Sequence, residues 1–212
     1  NRGSAYAALR QWENAASDFS KAIELEPDNP ARWSTRAGLH AEQAKWDSAA
    51  ADLSKAVDLT PELANVWYQR ALVRAAAGRL EDYRKDCGEM LQRFGQTDKP
   101  DDAHWVAWTC ALAPDATTDW PKVRALAEQA VKNDPKSARY LSTLGAVLYR
   151  AGQFEEVTKK LKEAEALVSE PSESPKSSPA YTWFFLAMAQ QRLRQAEDAK
   201  ASLDKAVAEA DK

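Results

Sequence analysis

The sequence predicts an all-α fold, an α-α superhelix of about six helix-turn-helix repeats with about twelve antiparallel helices. Three observations carry that expectation. Residues recur at intervals of 34: Arg2, Arg36 and Arg70; Asp18, Asp52 and Asp86; Trp33 and Trp67; Ala15 and Ala49; Ala22 and Ala56; Pro27 and Pro61. A fixed period of this length marks stacked helix hairpins. Between the prolines, apolar residues return at three- and four-residue steps, the spacing of one helical face. The chain is 44% hydrophobic with only seven Gly among 212 residues, which suits close-packed helices better than a sheet.

The first repeat opens partway through its first helix, on which Tyr6 lies. Its second helix carries Ala15, Phe19, Ala22, Ile23 and Leu25 before Pro27 stops it. The second repeat places Trp33, Ala37 and His40 on one helix and Ala49, Leu53, Ala56 and Val57 on the next, with Pro61 as the stop. In the third, Trp67, Ala71 and Arg74 lead to Gly78, a helix-ending glycine, and then to Tyr83, Cys87, Met90 and Leu91. After Phe94-Gly95 the period slips. Residues 96–102 read as a polar connector with a helix-start signal, followed by Trp105, Trp108 and Leu112. A longer turn covers residues 113–119, and the next helix carries Val123, Leu126, Ala127, Ala130 and Val131 up to Pro135. The fifth repeat is regular, with Leu141, Leu144, Gly145 and Leu148, a turn at Gly152, then Phe154, Val157, Leu161 and Ala164. Residues 169–179, with three prolines and five serines, read as a flexible surface loop. The sixth repeat holds Trp183, Leu186, Ala187, Ala199, Leu203, Ala206 and Val207. The expected organisation is therefore three repeats over residues 1–95, the first truncated, and three more over 96–212, in one continuous solenoid.

Composition narrows the function. A net charge of −3 with acids and bases interspersed does not suggest a nucleic-acid binder. No apolar run approaches the ~18 residues of a membrane span, and a cytoplasmic location is expected. Cys87 and Cys110 form no spacing pattern and read as small core residues. The chain opens inside a repeat, so its start reads as other than a native N-terminus, and the truncated first helix is the expected sticky end. The final helix, with Lys200, Asp204, Lys205, Glu209 and Asp211, reads as solvated.

The Trp, Gly or Ala, Tyr, Ala, Phe and Pro positions together resemble a tetratricopeptide repeat. Asn1-Arg2-Gly3, Ala15, Asp18-Phe19, Ala22 and Pro27 follow the family pattern, and repeats one, two, five and six match well. The third departs, with Tyr83 where a small Ala belongs, and the fourth has an enlarged turn. Cys87-Gly88-Glu89-Met90-Leu91, Arg93-Phe94-Gly95, Trp108-Thr109-Cys110, Ala113-Pro114-Asp115-Ala116 and Trp183-Phe184-Phe185-Leu186-Ala187-Met188-Ala189 add a narrower likeness. They look like the C-terminal repeat regions of large multidomain planctomycete-type bacterial proteins with a serine/threonine kinase or WD40 module. That resemblance implies an upstream module and a binding rather than a catalytic role.

Each Arg on a first helix precedes an Asp on the second by sixteen residues: Arg2/Asp18, Arg36/Asp52 and Arg70/Asp86. In repeat five the same places hold Leu144 and Lys160, and in repeat six Leu186 and Ser202, so Arg and Asp come and go together. Partly buried bidentate pairs would behave this way, because burying either charge alone is costly. The alternative is an arginine ladder for an anionic ligand.

No catalytic constellation assembles, and neither an enzyme nor a cofactor is expected. His40 occupies the place of Tyr6 and reads as packing; His104 starts a helix beside Asp101 and Asp102 and reads as surface. No metal-ligand spacing, phosphate loop or nucleophile motif is present. Function is expected instead in a concave groove lined by the first helices, which would hold a peptide or protein segment. The candidate lining residues are Asn65, Tyr68 and Leu72 in repeat three, Arg139, Ser142, Tyr149 and Arg150 in repeat five, and Tyr181, Phe184, Met188 and Arg192 in repeat six. Ser34, Gly38 and Ala41 make the repeat-two wall small and smooth, so the aromatic, basic part lies toward the C-terminus. The plainer reading packs those aromatics between repeats; Phe184 and Phe185, being neighbours, cannot both face one seam. Thr35 stands where a carboxylate-clamp repeat would carry Asn. The competing function is a structural spacer or a self-association element of a larger signalling protein, acting through the exposed N-terminal repeat. Expected partners are protein or peptide, with neither nucleic acid nor membrane.

Overall fold

In the computed structural model, which describes residues 2–168 and 179–211, the described residues form twelve α-helices and no strand. They are consecutive A and B helices of six repeats. Repeat one comprises α1 (Arg2–Ala8) and α2 (Trp12–Leu25), repeat two α3 (Pro30–Glu42) and α4 (Trp46–Leu59), and repeat three α5 (Ala64–Ala76) and α6 (Leu80–Phe94). Repeat four comprises α7 (Pro100–Leu112) and α8 (Trp120–Asn133), repeat five α9 (Ala138–Arg150) and α10 (Phe154–Val168), and repeat six α11 (Ala180–Arg192) and α12 (Ala196–Ala210). The chain divides into two compact units, Asn1–Met90 and Leu91–Lys212, with the division inside α6. Helix α7 begins at Pro100, inside the stretch expected as connector, with Asp101 and Asp102 in its first turn. Pro at the first position lacks only a donor that would be orphaned anyway, and the two acids face the positive end of the helix dipole. The loop expected at 169–179 lies, but for Pro179, outside the described residues.

The period has a physical basis at the first two junctions between repeats. Indole Nε1 of Trp33 donates to the Pro27 carbonyl at 2.8 Å, and Trp67 to that of Pro61 at 3.1 Å. Trp and Pro therefore share a spacing because one is tied to the other across the turn. Every regular A-to-B turn contains a left-handed residue: Arg10, Ala44, Gly78, Gly152 and Arg194 have φ of 55°, 54°, 74°, 76° and 60°. The residue after each returns its N–H to the carbonyl five positions back, as from Lys45 to His40 at 2.9 Å and from Arg79 to Arg74 at 2.9 Å. That closure satisfies the last carbonyls of the A helix.

Within each hairpin the A and B helices meet at a small residue. A β-carbon at Gly145 would lie 2.2 Å from Leu161 Cδ2, and one at Gly3 2.6 Å from Phe19 Cε1. Ala37, Ala71 and Ala187 are the equivalent residues, and all three are buried. Cys87, Cys110 and Tyr83 are fully buried too, so Tyr83 does replace the small residue of helix B as a core group.

The Arg and Asp pairs form in all three repeats that carry them. Arg2 grips Asp18 through Nε and Nη2, and Arg36 grips Asp52 at 2.8 and 2.7 Å while its Nη1 reaches Ser20 Oγ at 3.0 Å. The third pair departs from the bidentate expectation. Arg70 and Arg74 both donate to Asp86 Oδ1, each at 2.6 Å, and the carboxylate is fully buried. Burial raises the Asp86 pKa, opposed by the two guanidinium groups. A third place, one turn further along helix A, belongs to the same site. Tyr6, His40 and Arg74 occupy it in the repeats that carry Asp, and in repeat six Gln190 accepts there from Ser202 at 2.8 Å.

Two outcomes are expected in unfolding measurements. Arg36→Met strands a buried carboxylate and is expected to cost about 2–3 kcal/mol, most of it regained in Arg36→Met with Asp52→Leu. Urea melts in which the double variant equals the sum of the singles would refute the pairing. Gly145→Ala gains about 1 kcal/mol of helix propensity yet is expected to destabilise by about 1–2 kcal/mol overall, because Leu161 is too buried to yield. A raised melting temperature would contradict that contact.

Candidate functional site

The A helices of the C-terminal unit pack side by side, α7 on α9 and α9 on α11. Polar groups fix this wall. Arg139 binds Asp101, whose Oδ1 also accepts from the Tyr140 hydroxyl at 2.6 Å. That hydroxyl, with Arg139, holds the Asp101 carboxyl below the ordinary carboxylate range. Arg150 donates from Nε to the Ala111 carbonyl at 2.8 Å and from Nη2 to that of Leu112 at 3.0 Å, capping the C-terminal end of α7. Ser142 Oγ lies 2.6 Å from Thr182 Oγ1, joining α9 to α11. Arg139, Arg150 and Ser142 are thus engaged within the wall.

His104 is a correction: it is buried, not a surface residue. The apolar residues of α7 run around the helix, and His104 faces Thr143 of α9, with Nδ1 2.7 Å from Oγ1. Desolvation lowers its pKa to about 3, so it stays neutral in the folded chain. His40 lies at the Arg36–Asp52 pair, Nε2 3.8 Å from Asp52, and burial lowers its pKa as well. Among the described residues no group of three His, Cys, Asp or Glu converges on a metal site.

Aromatic residues occupy the space between the A helices. Phe185 is buried against Trp108 and Tyr149, with ring centroids 6.1 and 5.8 Å apart, and Trp108 also meets Tyr181 at 5.4 Å. Its neighbour Phe184 is half-buried and turns toward a cavity of about 480 Å³. Tyr149, Phe184, Met188 and Arg192 come together there, on α9 and α11, with Ala196, Ala199, Lys200 and Leu203 of α12 opposite. Among the described residues no carboxylate lines the cavity. Tyr181 is exposed beside Trp108, and Asn65, Tyr68 and Leu72 lie on α5 in the N-terminal unit, with Leu72 exposed.

Reading the sequence misses the α12 half of the cavity, although a signal is present: Ala196 stands where Trp12 and Trp46 begin their B helices. The charged residues Lys200, Asp204, Lys205 and Asp211 are exposed as expected, but Leu203 and Val207 are each 45% exposed as well. In the N-terminal unit a second hollow, about 360 Å³, is lined by Ser4, Ala7, Thr35 and Gly38 among others. Thr35 donates to the Ala31 carbonyl at 2.7 Å, within its own helix.

Residues 1–29 and 180–211 match the tetratricopeptide repeat family in sequence. The chain is similar in structure to a tetratricopeptide repeat protein from Parabacteroides merdae, with a TM-score of 0.68 and 14% identity over 98% of this chain and 75% of that one. It is similar to PilW, a type IV pilus biogenesis factor, with a TM-score of 0.63 and 14% identity over 94% and 86% of the two chains. A thermophilic tetratricopeptide repeat protein of Thermus thermophilus gives 0.62 and 15% over 87% and 93%. No curated protein matches the sequence.

The buried His104 sets a pH dependence. Its folded pKa lies below the unfolded value, so the unfolded chain binds the extra proton. Its contribution to stability is complete above about pH 6.5 and is lost as pH falls toward 3. Urea unfolding at pH 7.5 and pH 5 is expected to differ by about 2 kcal/mol from this group. The His104→Gln chain should lack that part of the difference; an unchanged pH slope would show that His104 titrates normally.

Proposed function

We propose that this all-α chain, which matches the tetratricopeptide repeat at residues 1–29 and 180–211, is a non-catalytic protein-interaction module, holding a peptide or protein segment against the A-helix face of α9 and α11. Among the described residues no helix is long and apolar enough to cross a membrane. The cavity at Tyr149, Phe184, Met188 and Arg192 carries this reading. It is large enough for one or two side chains, it is floored by apolar groups, and its rim charges are both cationic. Tyr181, exposed on the same helix, extends the aromatic surface. The polar bonds of Arg139, Arg150 and Ser142 support the reading indirectly, because a pre-set wall loses less entropy when it binds.

A library of random 16-residue peptides displayed on phage is a direct test. Selection is expected to enrich apolar anchors next to Asp or Glu, and Phe184→Ala is expected to weaken the selected peptides about tenfold, near 1.4 kcal/mol. Selected peptides that bind Phe184→Ala as well as the original chain would place binding elsewhere.

A further inference from the structure

The hollow of about 360 Å³ in the N-terminal unit lies between α1 and α3, two neighbouring A helices, with Phe19 of α2 at its floor. One residue opens it. Gly38 is the ninth residue of α3, and a β-carbon there would meet nothing within 4 Å. The ninth residues of α5, α7, α9 and α11 are Leu72, Trp108, Ala146 and Met188, so every later A helix carries a side chain at that place. On α1 the same place holds Ser4, and the next turn brings Ala7 and Ala8. Leu39, the tenth residue of α3, packs as a knob on Ala15 and Phe19 and seals the floor, as the tenth residue of α5, Val73, packs in the cluster of Ala49, Ala50 and Leu53. The hollow thus has a described helix on each side and owes its depth to the missing side chain at position 38.

Its chemistry is one-sided. The alanines, Phe19 and Leu39 make the floor apolar, while the rim offers acceptors. Glu42 is exposed and forms no ion pair among the described residues. Thr35 commits its hydroxyl proton to the Ala31 carbonyl at 2.7 Å, so its oxygen presents only lone pairs to a ligand. No cation lies in the described lining. Of the arginines on these two A helices, Arg2 is held by Asp18, Arg32 by Glu26 and Arg36 by Asp52. Arg10 sits in the turn after α1, outside the lining. A ligand that fits must bring hydrocarbon for the floor and donors for the rim.

We propose that this hollow takes an arginine side chain from a partner peptide. The methylene stem lies on Ala7, Ala8 and Phe19, and the guanidinium, which has five donors and no acceptor, reaches Glu42 and Thr35 Oγ1. A purely apolar side chain would cover the floor and leave both acceptors facing hydrocarbon. Lysine brings the charge, but its compact ammonium serves two separated acceptors less well than a planar fork. The proposal shares with the reading above that the chain binds protein segments. It adds a second site, in the N-terminal unit, whose charge preference is the reverse of that of the cationic rim at Arg192 and Lys200.

The probe is the peptide acetyl-Ala-Ala-Arg-Ala-Ala-amide, titrated into the isotope-labelled chain and followed by amide NMR shifts. Saturable shifts are expected at Thr35, Gly38 and Glu42. Replacing the peptide arginine by citrulline, its neutral isostere, or by norleucine is expected to weaken binding about tenfold, and lysine several-fold. Glu42→Gln, an exposed change, should also weaken the arginine peptide about tenfold. Gly38→Leu, which gives α3 the residue that α5 carries at that place, should abolish binding while the melting temperature holds or rises, since the added β-carbon meets open space and helix propensity improves. The absence of a saturable shift overturns the proposal, as does a citrulline or norleucine peptide that binds as well as the arginine one. Binding that survives Gly38→Leu or Glu42→Gln overturns it too, because a cationic peptide would then be held only by the net charge of −3. Binding lost in Phe184→Ala but kept in Gly38→Leu would remove this site and leave the α9–α11 face standing.

Discussion

A two-helix hairpin of this size has more apolar surface than it can bury between its own helices, and the fold depends on how the surplus is covered. The hollow between A and B is floored by alanines and closed at its edges by Trp12 or Trp46. It accepts one side chain, Leu39 or Val73, from the next A helix. That insertion buries the B-helix residues on the far side of the hairpin, which the hairpin alone leaves in water. The remaining regularities serve it. The glycine or alanine between A and B lets the two helices approach, the left-handed turn sets their angle, and the Trp–Pro tie fixes where the next helix enters.

The arginine and aspartate pairs follow from the same burial. Packing around the hollow dehydrates the middle of the B helix, and an acid there needs a partner within the hairpin. Repeats one to three solve this with guanidinium groups, repeat six with Ser202 on Gln190, and repeat four with the apolar set Val106, Cys110 and Leu126. Three different solutions on one backbone indicate that the location does not itself require a charge pair. Asp86 under two arginines shows the limit: a second cation is recruited where the carboxylate is most deeply buried.

Periodicity makes the helices, their order and the Arg–Asp pairing legible, because each repeat acts as a control for the others. Tyr83, Cys87 and Cys110 can be placed inside for the same reason. His104 cannot, since a polar residue near a helix start flanked by Asp101 and Asp102 looks solvated until α9 covers it. Of the candidate binding residues, Tyr149, Phe184, Met188 and Arg192 meet in one cavity. Arg139, Arg150 and Ser142 are bonded within the wall, and no local pattern announces a bond to a residue nearly 40 positions away. The α12 side of the cavity is readable in principle from Ala196, but only once the knob-and-hole register is known.

The A helices from α3 to α11 all have 13 residues, whereas the segments joining helices vary, as in the long 113–119 turn. A knob at the tenth of thirteen places has a phase, and one added helical residue would swing it by about 100° away from its hole. Length change is therefore costly within the A helices, while the joints and the B helices, at 14 or 15 residues, absorb it. The chain carries a frame rule written in its A helices alone.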